Sequence, residues 1–121
     1  MRLESADIIF SKIVRARDKF RCQRCNKFYP EGKGLQCSHF YGRVNRSTRF
    51  DLDNAETLCH GCHRYFDETN REAYRDFKLK KLGQKKFDAL KVRANMSVKK
   101  DKELELIFVF IAVFTFLYLA A

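Results

Sequence analysis

The sequence predicts an α+β fold in which a small core of short strands and loops is flanked by helices. Apolar residues at helical spacing in residues 5–19 predict the first helix. From Phe20 to Phe50 cysteine, glycine and short aromatic runs indicate strands and loops, and helical spacing returns near Gly61. A chain of 121 residues has room for one small domain with a marginal core, so we expect a metal or a crosslink to stabilise it.

Residues 1–19 are predicted to form an N-terminal helical segment. The apolar positions are Ile8, Ile9, Ile13 and Val14, whose steps of four and five residues fit one face of a helix, and Ser5 is a candidate N-cap. The start of the chain has no apolar segment typical of an export signal. We therefore expect a cytoplasmic protein whose five cysteines are reduced.

Four of the cysteines form two C-x2-C pairs, Cys22 with Cys25 and Cys59 with Cys62. Each pair places two thiolates on one tight turn, and two such turns complete a tetrahedral zinc site. Redox-active cysteines are the competing interpretation, but no βαβ pattern surrounds the pairs. Because four thiolates leave no open position, we expect this zinc to stabilise the fold and not to catalyse. The remaining Cys37 is predicted to be a small buried residue and not a fifth ligand.

Two further helices are predicted in residues 71–95. The first begins at a capping box formed by Thr69 and Glu72 and ends at Gly83. The second spans Lys85 to Asn95.

Residues 96–121 are predicted to be a basic linker followed by an apolar tail that begins at Leu106. Its 16 uncharged residues would span about 24 Å as a helix, against a bilayer core of about 30 Å. Three interpretations stay open: a weak membrane anchor, a packed or oligomer-forming strand, and a frameshifted end foreign to the domain.

The basic composition favours polyanionic partners, with nucleic acid first and anionic membranes second. The net charge is +10, and no acidic residue occurs from Gly32 to Phe50. Within that stretch the cations predicted to contact backbone phosphates are Lys33, Arg43, Arg46 and Arg49. The sequence predicts no oligomeric state.

Three residues that lie between the cysteine pairs or directly after them are candidates for a hydrolytic site: His39, Asn54 and His63. Phosphodiester hydrolysis needs a deprotonated water and a cation close to the developing charge. His39 is the candidate general base, because imidazole titrates near neutral pH and a nearby dication favours its neutral form. His63 directly follows Cys62, so bound zinc would fix its direction. Asn54 is suited to bracing a loop through its side-chain amide.

The order of these motifs in residues 20–70 resembles the HNH, or ββα-metal, endonuclease family. The F-S-x-x-V-R-x-R-D run before the first cysteine pair and the C-S-H-F-Y-G-R run after it are similar to phage NinG-type recombination nucleases. The resemblance implies a zinc-stapled ββα-metal domain that cuts DNA, in the cytoplasm of a bacterial host if a phage encodes it. It also implies that His39 is the base, that His63 binds a catalytic Mg²⁺ or Mn²⁺, and that Asn54 supports the loop carrying His39.

Two further positions affect which residues could be ligands of that catalytic metal. Asp67 follows His63 by four residues, which on a helix places both side chains on one face. We predict that Asp67 is a second ligand, the alternative being a solvated acid. Ser38 stands where many members of the family carry Asp or His, and serine is a poor ligand for a hard dication. This departure favours the alternative function, a zinc-ribbon-like nucleic-acid-binding module without catalysis.

Overall fold

The computed structural model describes residues 3–99 and 101–120 of the chain. Met1 and Arg2 of the predicted N-terminal segment, and Lys100 and Ala121 of the predicted linker and tail, lie outside the described residues. Within the described part the protein has five α-helices and one antiparallel sheet of two strands. The predicted α+β class is confirmed at this level.

The first helix, α1 (Ser5–Arg17), packs its buried face against the sheet. It begins one residue earlier than predicted, because Glu4 and not Ser5 is the N-cap. The backbone N–H of Glu4 donates to Asp7 Oδ2 at 2.8 Å, which completes a capping box. The buried side chains of Phe10 and Val14 join an apolar cluster.

The sheet pairs β1 (Leu35–His39) with β2 (Ala55–Cys59). The antiparallel register sets Leu35 opposite Cys59 and His39 opposite Ala55. A long loop joins the strands, and the short helix α2 (His60–Arg64) follows β2 without a gap before a π-helical turn. The strand ends and α2 therefore hold the cysteines and histidines of the sequence motifs close to the sheet.

The helices α3 (Arg71–Leu82) and α4 (Gln84–Ala94) cover the other side of the core. The predicted Thr69–Glu72 capping box is wrong by one residue, since the side chain of Asn70 accepts from the backbone N–H of Ala73 at 2.9 Å. Gly83 ends α3 as predicted, with a φ of 79° that favours glycine.

The apolar tail forms α5 (Lys102–Ala120), so the strand, one of the three interpretations left open, is wrong for these residues. The helix packs on α1 through a buried face that includes Val109 and Ala112. Among the side chains of α5 that the structure describes, eight large apolar ones are exposed, which are Leu104, Leu106, Ile107, Phe108, Phe110, Ile111, Phe114 and Leu117. Among the described residues, no helix combines the length and apolar character needed to cross a membrane.

Candidate functional site

The side chains of the two cysteine pairs meet in one cluster. The Sγ atoms of Cys22, Cys25, Cys59 and Cys62 all lie within 4.8 Å of one another, and those of Cys25 and Cys59 are 4.0 Å apart. Four sulfurs around a tetrahedral zinc ion lie about 3.8 Å apart, given Zn–S bonds of about 2.3 Å. The four cysteines are thus positioned to bind one metal ion, as the sequence predicted.

Backbone N–H groups support both pairs of thiolates. Cys25 N–H donates to Cys22 Sγ, and Cys62 N–H donates to Cys59 Sγ, each at 3.5 Å. Burial raises the pKa of Cys59, but hydrogen bonds from the backbone and side chain of Cys62 outweigh it and lower that pKa to about 7. These donors favour the deprotonated form of Cys59 that a metal requires, whereas burial raises the pKa of Cys62 to about 12.

Arg24 also contacts the cysteine cluster, which the sequence analysis did not predict. Its Nη1 donates to Cys62 Sγ at 3.5 Å, and its guanidinium carbon lies 4.1 Å from the ring centroid of Tyr65. Its position between the two cysteines of a pair could have predicted this contact, because a guanidinium there can donate to a sulfur of the facing pair.

The fifth cysteine, Cys37, lies outside this cluster and packs against the apolar cluster of α1. Burial raises the pKa of its thiol to about 12, so the side chain stays protonated. A neutral thiol in this position acts as a small apolar residue.

A cavity of about 560 Å³ opens between α1, the sheet and the region that follows α2. It brings together four residues singled out from the sequence: His39, Arg43, His63 and Asp67. Of the other predicted site residues that the structure describes, Lys33, Arg46, Arg49 and Asn54 lie outside the lining. The candidate base and the candidate ligands therefore share one solvent-accessible space.

His39 is held by a backbone contact. Its Nε2 lies 2.9 Å from the carbonyl oxygen of Arg49. Since a carbonyl only accepts, Nε2 carries the proton and Nδ1 keeps its lone pair. Burial lowers the pKa of His39 to about 4, with the bond to Arg49 acting against the shift and the charge of Arg43 adding to it. The ring is therefore neutral at physiological pH and able to accept a proton.

His63 and Asp67, which also line the cavity, form a pair of residue types that commonly bind metals. His63 Nε2 lies 2.7 Å from Asp67 Oδ2, and both side chains are partly exposed. The other carboxylate oxygen of Asp67 accepts from Arg71 Nη1 at 3.1 Å. In the described part of the chain, the four cysteines are the only group of three or more candidate ligands that are mutually close. The histidine and aspartate thus offer two protein ligands and not a complete shell.

Asn54 is fully buried beneath the loop that follows His39. Its Oδ1 accepts from the backbone N–H of Tyr41 at 2.8 Å, and its Nδ2 donates to the carbonyls of Tyr41 and Thr48 at 2.9 and 3.0 Å. Its own carbonyl accepts from Phe40 N–H at 2.9 Å. These four bonds tie the two ends of the loop to the start of β2.

Comparison with known proteins adds no family to this geometry. The chain matches no protein family model, no curated protein and no solved structure. Function must therefore be inferred from the side chains around the cavity.

Two of the cations predicted to contact phosphates are paired with carboxylates. The Arg49 guanidinium is 1% exposed and forms two bonds to the carboxylate of Asp7, at 2.8 and 2.5 Å. Arg46 is bonded to Glu4 and Glu105. Each guanidinium would have to leave these partners to contact a phosphate.

Of the other two predicted cations, Arg43 is half-buried and lines the cavity. The side chain of Lys33 is 85% exposed and has a long ion pair to Glu31 at 3.8 Å. Because an exposed pair of this kind is weak, Lys33 is available to a phosphate backbone.

Ser38 faces away from the cavity. It is fully buried, and its Oγ lies 2.7 Å from Tyr74 Oη, which also bonds to Glu56. Lys78 completes this buried network with a 2.7 Å bond to the other oxygen of Glu56. The residue before His39 thus joins β1 to α3 and does not line the cavity.

Proposed function

We propose that this protein is a metal-dependent DNA endonuclease of the HNH, or ββα-metal, type. The observation that supports it best is the shared cavity, which is lined both by a neutral histidine and by a histidine–aspartate pair. Hydrolysis of a phosphodiester requires a base and a metal site that reach the same substrate.

In this proposal each residue has one role. His39 accepts a proton from water at Nδ1, while the Arg49 carbonyl keeps the ring in the required tautomer. His63 and Asp67 are the residues that would hold Mg²⁺ or Mn²⁺. The bound dication would polarise the phosphate and stabilise the charge that develops on it. Asn54 holds the loop that carries the Arg49 carbonyl.

The four-cysteine cluster is proposed to bind zinc. A closed set of four thiolates suits a structural zinc ion, and the cluster joins the chain after α1 to the β2–α2 junction. Zinc at this place would fix the start of α2 and thereby the direction of His63, which follows Cys62.

The substrate is proposed to be DNA, bound through its backbone by Arg43 and Lys33. The C-S-H-F-Y-G-R run around His39, which is similar to that of phage NinG-type recombination nucleases, favours branched DNA in a bacterial cytoplasm. Contacts of this kind read shape and charge and not base sequence.

A zinc-ribbon-like nucleic-acid-binding module without catalysis is the second candidate. It is favoured by the incomplete ligand set: Asp67 is shared with Arg71, and Ser38 points into the core. Such a module would bind DNA and leave it intact.

A plasmid assay separates the two. We expect the zinc-loaded protein to nick supercoiled and branched DNA with Mg²⁺ or Mn²⁺, and to stop when a chelator removes these ions. A His39→Ala variant should lose about 10²–10⁴-fold in rate, the usual contribution of a general base. Unchanged DNA binding without any cutting by the wild type would establish the second candidate instead.

A further inference from the structure

We propose that Arg15 of α1 is a phosphate-binding residue of the cavity, and that together with Arg43 it holds a backbone phosphate of the substrate DNA there. The inference deepens the proposed function, on which the choice of a nucleic-acid phosphate rests. The presence of an anion site depends only on the side chains that line the cavity.

Arg15 reaches the cavity from a different element than the basic loop. Its side chain belongs to α1 and lines the same space as His39 of β1. Arg43 lines that space from the loop that follows β1. A phosphate in the cavity can therefore be contacted by guanidinium groups of two separate elements.

The charged side chains of the cavity lining differ in their partners. The lining includes two carboxylates, those of Asp7 and Asp67, and each accepts a bond from an arginine outside the lining, at 2.5 and 3.1 Å respectively. In the part of the chain that the structure describes, neither Arg15 nor Arg43 forms an ion pair with a carboxylate. The two guanidinium charges of the lining therefore favour an anion in this space.

The side chain of Arg15 is held both at its stem and at its charged end. Its Nη2 donates to Ser11 Oγ, four residues earlier, at 3.3 Å. Its stem lies against Gly32, where an added Cβ would be 3.4 Å from Arg15 Cδ. Ser11 takes one N–H of a group that carries several, and a planar guanidinium can bind two oxygens of a phosphate at once. Because the side chain is already ordered, a bound phosphate would cost it little conformational entropy.

The test compares two substitutions that change the net charge by the same amount. Arg15→Gln removes the charge but keeps most of the stem that packs against Gly32 and a donor for Ser11. Lys12→Gln is the matched control, since Lys12 is an exposed residue of the same helix and lies outside the cavity lining. The probe is a thymine dinucleotide, which contains a single phosphodiester, added to the zinc-loaded full chain without Mg²⁺ or Mn²⁺.

The ring signals of His39 in ¹H–¹³C spectra report binding in the cavity. We expect the dinucleotide to shift these signals in the wild type. Its Kd should rise about tenfold in Arg15→Gln and change less than about twofold in Lys12→Gln, because only Arg15 loses a charge-assisted bond. If Arg15 served only the last turn of α1, where a cation favours the helix dipole, Arg15→Gln would lower the stability and leave this Kd unchanged.

The same Kd in Arg15→Gln and in Lys12→Gln would overturn the inference. A dinucleotide that leaves the His39 signals of the wild type unchanged would overturn it as well. Plasmid nicking tests the proposed function separately. A wild-type protein that binds the dinucleotide through Arg15 and cuts no DNA would refute the endonuclease and support the phosphate site.

Discussion

Two parts of the cavity lining each carry a histidine, and we call them the His39 wall and the His63 wall. The surroundings of the two histidines differ. His39 is largely buried, and this burial keeps the ring neutral by lowering its pKa to about 4, against the effect of the bond from Nε2 to a backbone carbonyl. His63 is partly exposed and is held by the side chains of Gln36 and Asp67. One residue type is thus kept neutral by burial at one position and placed beside a carboxylate at the other.

The walls are also stabilised differently. The His63 wall follows the four-cysteine cluster, so a metal ion would hold it. The His39 wall depends on packing against α1 and on the buried pair of Asp7 with Arg49, whose backbone carbonyl orients the histidine. The two walls should therefore fail under different perturbations.

The largest effect should come from breaking the cysteine cluster. We expect Cys62→Ser to lose the bound zinc and to unfold, because a structural zinc ion contributes about 10–16 kcal/mol to small zinc domains. Circular dichroism and zinc analysis would measure this. The matched control is Cys37→Ser, which lies outside the cluster and should retain one zinc ion per chain. Equal zinc content in both variants and wild type would contradict the assignment.

The next effect should come from the other wall. Asp7→Asn leaves the buried Arg49 guanidinium without its charged partner, so we expect a loss of about 3–5 kcal/mol in the free energy of unfolding. Urea unfolding of the zinc-loaded protein would measure it. Glu4→Gln is the control, since it weakens the more exposed pair with Arg46 and should cost about 1 kcal/mol or less. Similar losses in the two variants would show that the buried pair has no special role.

A smaller effect should appear as the pH falls. The pKa of His39 in the folded protein, about 4, lies below its ordinary value of 6.5, so the unfolded chain takes up the proton first. The contribution of His39 to stability is therefore complete above pH 6.5 and is lost as the pH falls toward 4. Between pH 7 and pH 5 this amounts to roughly 2 kcal/mol.

His39→Gln isolates that contribution from carboxylates and thiolates that titrate over the same range. The stability of the wild type should fall more steeply than that of the variant between pH 7 and pH 5. Parallel pH profiles would mean that the ring is not desolvated as the structure indicates.

The smallest expected effect is on DNA binding by arginine residues of the β1–β2 loop. Arg43→Ala should reduce the slope of log Kd against log salt by about 1, because it removes one phosphate contact at the cavity. Arg46→Ala should leave that slope nearly unchanged, since this guanidinium already bonds to Glu4 and Glu105. Fluorescence anisotropy at several salt concentrations would separate them, and equal slopes for the two variants would refute the distinction.

Local patterns predicted much of this site. The C-x2-C spacing predicted the cysteine cluster, and the four-residue step from His63 predicted its contact with Asp67. Each of these relations depends on a turn or on one helical face, which the chain specifies over a few residues.

Long-range relations were not predictable in the same way. The basic stretch indicated a phosphate contact at Arg49, but its partner Asp7 is 42 residues away and is brought to it only by the packing of α1. The contact of Gln36 with His63 and that of Ser38 with Tyr74 join residues 27 and 36 positions apart, which only the folded chain brings together. For the tail, an apolar run without polar alternation did not distinguish a strand from a helix.

The most direct test of the division between the two walls is the rate of plasmid nicking as a function of Mn²⁺ concentration. We predict that His39→Gln lowers the rate at saturating Mn²⁺ by about 10²-fold or more without changing the Mn²⁺ concentration for half-maximal rate. His63→Gln should instead raise that concentration. A His39→Gln protein that nicks at the wild-type rate, or one whose defect excess Mn²⁺ restores, would contradict the assignment of base and ligand.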